Sequence, residues 1–257
     1  MDTMDVGKIN EFAGGKFDIH VYKTLASTNT TLREMANGGC DERTVVIADG
    51  QSAGRGRMGH DFSSPSGTGL YMSVLIRPRI SAERSVMITV AAAVAAARAI
   101  EEVSGDRAEI KWVNDIYVGG KKVCGILAES VFGAYGNVEY TVLGIGVNVF
   151  LPHGGFDESI SDIAGALFDR DMPQMREKLA ALMLEYIDLY VKDGLELSFD
   201  EYRERQMLIG KRIYVIRNGE NIPATAVSVD DSCRLVVKYD NGDVEALSSG
   251  DVSTRRL

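Results

Sequence analysis

Two short stretches of the chain hold residue types suited to gripping an anion. The first reads Gly54-Arg55-Gly56-Arg57-Met58-Gly59-His60. Glycines let backbone N–H groups come close to a negative charge. Two arginines two residues apart add permanent charge and forked donors that match carboxylate or phosphate. The glycine spacing is formally G-x-G-x-x-G, which in a dinucleotide fold would open a helix. Here Ser63-Ser64-Pro65-Ser66-Gly67 follows, a turn-forming run, and the dinucleotide reading fails. A G-x-x-x-x-G-K-[ST] phosphate loop is also absent from the sequence, because Gly120-Lys121 is followed by Lys122. Taken alone, the glycine–arginine stretch is equally well a solvated surface turn.

The second stretch is Lys111-Trp112-Val113-Asn114-Asp115, continued by Lys121-Lys122-Val123-Cys124-Gly125-Ile126-Leu127. Lys111 sits in an apolar strand setting, where an ammonium is costly without a partner. Asp115 could be that partner, or could hold Mg²⁺ beside a triphosphate. Lys122 opens a strand, so its amine could reach a cleft or could be an ordinary hairpin lysine. Trp112 reads as core. A third cluster, Gly144-Ile145-Gly146-Val147-Asn148, puts glycines inside a strand, which points to close approach of another group or to tight packing.

The elements that must position these residues follow from pattern. Strands are expected at Asp18 to Tyr22, Thr44 to Ala48, Leu70 to Ile76, Ile110 to Trp112, Ile116 to Val118, Val123 to Val131 and Glu139 to Val149, with Gly119-Gly120 as a hairpin turn. Ser27 and Thr28 are natural caps for a helix to Asn37, and Ser81 for one to about Val103. Between Gln51 and Gly69 lies a long loop without a pattern of its own, a kind of segment that is more often functional than decorative. Helices are expected at Asp162 to Phe168, Met175 to Val191 and Phe199 to Met207. Strands first and helices later suggest an α+β layer. After a break near Leu208-Ile209-Gly210 come short strands with turns at Asn218-Gly219, Asp230-Asp231 and Asn241-Gly242, which describe a small barrel. The domains expected are thus 1–208 and 209–257.

Composition narrows the class. The chain has 257 residues, 45% hydrophobic and 25% charged, enough to bury a core without staples. Its formal net charge of −9 makes it a poor general nucleic-acid binder. Cys40, Cys124 and Cys233 are far apart and odd in number, which argues against a disulfide framework. The apolar run from Val86 to Ala97 is too short to span a membrane, and the first residues lack the features of a signal peptide. A cytoplasmic protein is expected.

In this order the motifs resemble those of biotin protein ligases. The resemblance rests on Ser27-Thr28-Asn29, Gln51-Ser52-Ala53-Gly54-Arg55-Gly56-Arg57, Ser64-Pro65 with Gly69-Leu70-Tyr71, Lys111-Trp112 with Asn114-Asp115, Lys122 with Gly125-Ile126-Leu127 and Glu129, and Gly144 to Asn148. It spans about residues 18 to 257. It implies an α+β fold: a mixed, class II synthetase-like sheet with helices packed on one side, plus a small C-terminal SH3-like barrel. It implies activation of biotin by ATP to biotinyl-5′-AMP, then transfer to a lysine of a biotin carboxyl carrier domain of a carboxylase.

By that resemblance Arg55, Arg57 and Lys122 are catalytic. Ser27, Thr28, Asn29, Gln51, Gly54, Gly56 and Gly125, with Arg55, Arg57 and Lys122, line the biotin pocket. Arg57, Phe62, Lys111, Asn114, Asp115 and Asn148 serve ATP, and Asp115 serves Mg. Met58 and His60 stand where arginine is common in the family, Phe62 where Trp is frequent and Val113 where Pro is common. The family's N-terminal DNA-binding domain is not seen in this sequence, so no DNA partner is expected, nor a membrane; a homodimer is compatible. The alternatives are a lipoate ligase or octanoyltransferase on a related scaffold, faintly echoed by His60-Asp61, and a non-catalytic biotin-binding regulator.

Overall fold

A computed structural model describes residues 4–133, 135–192, 194–217, 219–248 and 251–253. In chain order the elements are α1 (Val6–Ala13), β1 (Asp18–Leu25), α2 (Thr28–Asn37), β2 (Thr44–Gln51), β3 (Gly69–Ile76), α3 (Val86–Ser104), β4 (Ala108–Lys111), β5 (Asp115–Val118), β6 (Lys121–Phe132) and β7 (Val138–Asn148). Then come α4 (Met175–Ile187), which runs on as a π-helical turn (Asp188–Lys192), and α5 (Leu197–Glu204). Five short strands follow: β8 (Arg212–Arg217), β9 (Glu220–Val229), β10 (Leu235–Tyr239), β11 (Val244–Leu247) and β12 (Asp251–Ser253).

The first seven strands form one sheet in the order β1-β2-β3-β7-β6-β5-β4. Only β1 and β2 are parallel, and α2 is the crossover that joins them. The last five make a separate antiparallel sheet, β11-β10-β9-β8-β12. The expected class, a mixed sheet with helices and a small all-β unit after it, is what is found, but the helices do not all pack on one side as expected: α2 takes the opposite face.

Side-chain alternation divides the large sheet into two unlike faces. Leu70, Met72, Val74 and Ile76 of β3 and Leu143, Ile145 and Val147 of β7 join a core built with α1, α3, α4 and α5. Here α3 carries an unbroken buried run, Ala91 to Ala97, whose small side chains let its neighbours approach closely. Gly105 ends it in the left-handed conformation at φ 76°. On the opposite face, Leu32 and Ala36 of α2 cover Val46, Leu75, Tyr140 and Val142. Thus α2 lies across the sheet from the other helices.

The helix expected at Asp162 to Phe168 is absent. That segment is a series of turns whose backbone groups bond outward: Lys122 N–H to Ile163 O, Gly165 N–H to Lys122 O and Leu167 N–H to Asn148 O. Groups spent on β6 and β7 cannot build an i→i−4 ladder. Two elements went unanticipated, α1 and β12. Asp5 caps α1 by accepting from the N–H groups of Gly7 and Lys8, and Ile9 and Ala13 are buried. Asn218, expected at a turn, lies outside the described residues.

Candidate active site

Where the parallel pair β1–β2 ends and α2 begins, the sheet face opposite α3 is open. Three glycines keep it open. A methyl at Gly144 would come within 2.1 Å of Asn29 Oδ1, and one at Gly146 within 2.5 Å of the Phe62 ring. At Gly125 it would lie 3.1 Å from the same ring. The strand glycines therefore mark close approach, of α2 on one side and of the long loop on the other.

The floor of the cleft is a hydrogen-bonded cluster at the start of α2. Ser27 occupies the cap position, yet its side chain makes no cap bond. Instead Gln51, the last residue of β2, accepts from Thr28 N–H at 2.9 Å. Ser73 donates to Asn29 Oδ1 at 2.6 Å and sits 2.8 Å from Thr28 Oγ1. The amide of Asn29 donates to Glu129 at 2.9 Å. Ser27, Thr28, Asn29 and Ser73 are all buried. Uncharged hydroxyl and amide groups held this rigidly suit a neutral polar ligand better than an ion.

The long loop closes over this floor as a lid. Its base is tied by Gln51 donating to Ser64 Oγ at 2.9 Å and Ser64 donating to Phe62 O at 2.9 Å. Its tip is a tight turn in which Gly56 N–H bonds His60 O at 2.7 Å. Arg57 donates to Asn114 Oδ1 at 3.0 Å, and Asn114 donates in turn to Ile126 O at 2.7 Å. Arg55 forks onto Glu129, with N···O distances of 3.1 and 3.3 Å. Across the cleft, the Lys122 ammonium pairs with Asp115 at 2.8 Å. The cleft between them measures about 210 Å³ and is lined by residues of α2, the lid, β5, β6 and β7, with Arg55, Arg57 and Lys122 on its wall.

A second, larger cavity of about 790 Å³ lies beyond Phe62 and Lys122, which line both. Asn148 and Gly54 line this one, together with Phe156, Ile160 and Ile163 from the segment after β7. Asn148 also donates to Gly165 O at 3.0 Å. Cys124 lies on its wall, and burial pushes its thiol well above the usual range. Burial likewise pushes the Tyr71 phenol up to about 12. Its hydroxyl donates to Pro65 O under the lid.

The structure thus gathers Ser27, Thr28, Asn29, Gln51, Arg55, Gly56, Arg57, Phe62, Asn114, Asp115, Lys122 and Gly125 about one cleft, and Gly54 and Asn148 about its neighbour. Lys111, at the end of β4, lines neither cavity. Ser73, Phe156, Ile160 and Ile163 escaped the sequence reading. Ser73 had a signal, as a small polar residue in an otherwise apolar stretch of strand.

Two family models match this chain. "Biotin/lipoate A/B protein ligase family" covers residues 21–148, and "Biotin protein ligase C terminal domain" covers residues 208–255. The chain belongs to the biotin/lipoate A/B protein ligase family. Among the relatives it is similar to is the bifunctional ligase/repressor BirA of Bacillus subtilis, 41% identical over 57% of this chain and 45% of that protein. The match thus spans under half the length of that relative. The biotin--[acetyl-CoA-carboxylase] ligase of Mycobacterium tuberculosis is 28% identical over 91% of this chain and 88% of its own. The fold matches the biotin protein ligase of Aquifex aeolicus solved with biotin and ATP, at 24% identity and a TM-score of 0.73, covering 93% of this chain and 99% of that one.

Proposed function

We propose that this chain is an ATP-dependent biotin protein ligase, with residues 1–208 as the catalytic unit and 209–257 as its companion. The observation that carries the reading is the shared cleft. The lid bearing Arg57, the Lys122 amine and an uncharged polar floor meet there, with a second cavity across Phe62. Such a floor suits the ureido ring of biotin. The carboxylate then points toward Lys122 and Arg57, and the nucleotide takes the second cavity, with its base among Phe156, Ile160 and Ile163.

In the first step a carboxylate oxygen of biotin attacks the α-phosphorus of ATP. A C–O–P anhydride forms and pyrophosphate leaves. Charge grows on the phosphoryl oxygens, and fixed cations lower its energy without reorganising. Asp115 holds the Lys122 amine in place and Asn114 holds the Arg57 guanidinium. The closed lid keeps water from the anhydride. In the second step the amine of a carrier-domain lysine attacks the acyl carbon, loses a proton and forms an amide, and AMP leaves. The partner is a biotin carboxyl carrier domain of a carboxylase, in line with the acetyl-CoA-carboxylase for which the mycobacterial relative is named. Magnesium would arrive with the nucleotide. Asp115 is already paired with Lys122, and no cluster of three His, Cys, Asp or Glu exists among the described residues, so these side chains do not form a metal site of their own.

The test is exchange of labelled pyrophosphate into ATP. Exchange that needs biotin is the expected result. Exchange with lipoate but not biotin would move the chain to the lipoate branch, and tight biotin binding without exchange would make it a regulator.

A further inference from the structure

Glu129 is a half-buried carboxylate on β6 that faces the cleft side of the sheet and takes donors from two different elements. Its side chain is 15% exposed. From α2 come Arg33 at 2.8 Å and Asn29 at 2.9 Å, and from the lid comes Arg55 through its two terminal guanidinium nitrogens. A two-point Arg–carboxylate contact fixes geometry as well as charge. Arg55 is therefore a strut, and its guanidinium is committed to the protein. The same Asn29 that meets Glu129 accepts from Ser73 in the cleft floor. Gly144 makes this reach possible, because any side chain there would collide with the Asn29 amide.

We propose that Glu129 is a positioning residue that latches the lid shut and couples its closure to the floor of the acyl-donor pocket. The proposal rests on the ligase reading for the identity of that acyl donor, biotin. With Glu129 in place, Arg55 pins the near half of the lid to α2 and β6, so that Gly56 and Arg57 present donors to the cleft. Ligand contact with Asn29 then tightens the same carboxylate that holds the lid.

Limited trypsin digestion of the full chain reads the latch directly, since the lid offers cuts after Arg55 and Arg57. In Glu129→Gln, cleavage in the lid rises about tenfold over wild type, the loss expected when a charge-assisted two-point contact goes. Glu129→Asp recovers part of the protection. Arg33→Gln, which removes a Glu129 partner without touching the lid, leaves cleavage near wild type. In turnover, Glu129→Gln raises the KM for biotin about tenfold and lowers kcat by a smaller factor, because the latch governs closure over bound biotin while the Lys122–Asp115 pair is left in place. If Glu129→Gln does not fold, Arg55→Gln is digested instead, and cleavage after Arg57 accelerates. An unchanged lid cleavage rate in these variants, or equal loosening by Arg33→Gln, overturns the proposal. The digestion needs no activity, so a wild-type chain lacking biotin-dependent exchange defeats the ligase reading while the latch is still judged by its own cuts.

Discussion

Neighbouring residues of one strand serve opposite ends here. Along β7, Leu143, Ile145 and Val147 face α3 and α4, where the interior is apolar and tightly filled. Gly144 and Gly146, between them, face the cleft, where α2 and Phe62 lie within contact of the bare backbone. The helix-covered face stabilises the fold by removing apolar surface from water, about 1.5–3 kcal/mol for each large aliphatic side chain. The cleft face gives up such burial to hold polar groups and cations in fixed places. The one buried pair of charges among the described residues, Asp49 and Arg176 at 2.6 Å, lies on the helix side beneath the lid, where Ser66 also bonds Asp49.

If the two faces are separable, substitutions on each should move different quantities. The largest effect belongs to Lys122→Ala, which should cut biotin-dependent exchange by about 100-fold or more while shifting the melting temperature little, since its pair with Asp115 is a partly exposed one at the cleft edge. A matching drop in melting temperature would show that the cleft face also supports the fold. Next comes Leu143→Ala, one residue from Gly144, expected to cost about 2–5 kcal/mol in urea unfolding with kcat per folded molecule preserved. Loss of kcat there would mean that the faces are coupled. Gly146→Ala should displace the Phe62 ring and raise the KM for both substrates about tenfold with little change in stability, as steady-state kinetics and melting can check together.

The smallest effect is at acid pH, far from the cleft. Burial alone would push the carboxyls of Glu101 and Glu201 up. The Arg205 bond to Glu101, and the Arg98 and Arg205 bonds to Glu201, outweigh it and hold both below the usual 4.5. Carboxyls depressed in the folded state contribute stability above their unfolded value and lose it as pH falls through the folded one. Urea midpoints should therefore fall below about pH 4.5, and Glu201→Gln should flatten that limb. A limb of unchanged slope in the variant would remove the network from the account.

The strands of the large sheet were legible because alternation and turn glycines are local signals: β3, β6 and β7 fall within a residue or two of expectation. The site was legible where chemistry is carried by rare types at fixed spacing, as with Arg55, Arg57 and Lys122. What could not be read was decided by tertiary bonds. Asp162 to Phe168 has helical composition, yet β6 and β7 claim its backbone groups. The grouping of Glu129 with Asn29 and Arg55 joins residues 100 and 74 positions apart, which no window of sequence can reveal. The caps of α1, Asp5 before it and Gly14 after, were there to be read.

A crystal structure with biotin and a non-hydrolysable ATP analogue bound would show whether acid and nucleotide meet at one cationic wall. The expected result is the ureido ring against Thr28 and Gln51, and the carboxylate and α-phosphate together within reach of Lys122 and Arg57, with Arg55 still on Glu129. Biotin seated elsewhere, or the carboxylate and α-phosphate held apart by Phe62 with Lys122 still bound to Asp115 alone, would contradict it.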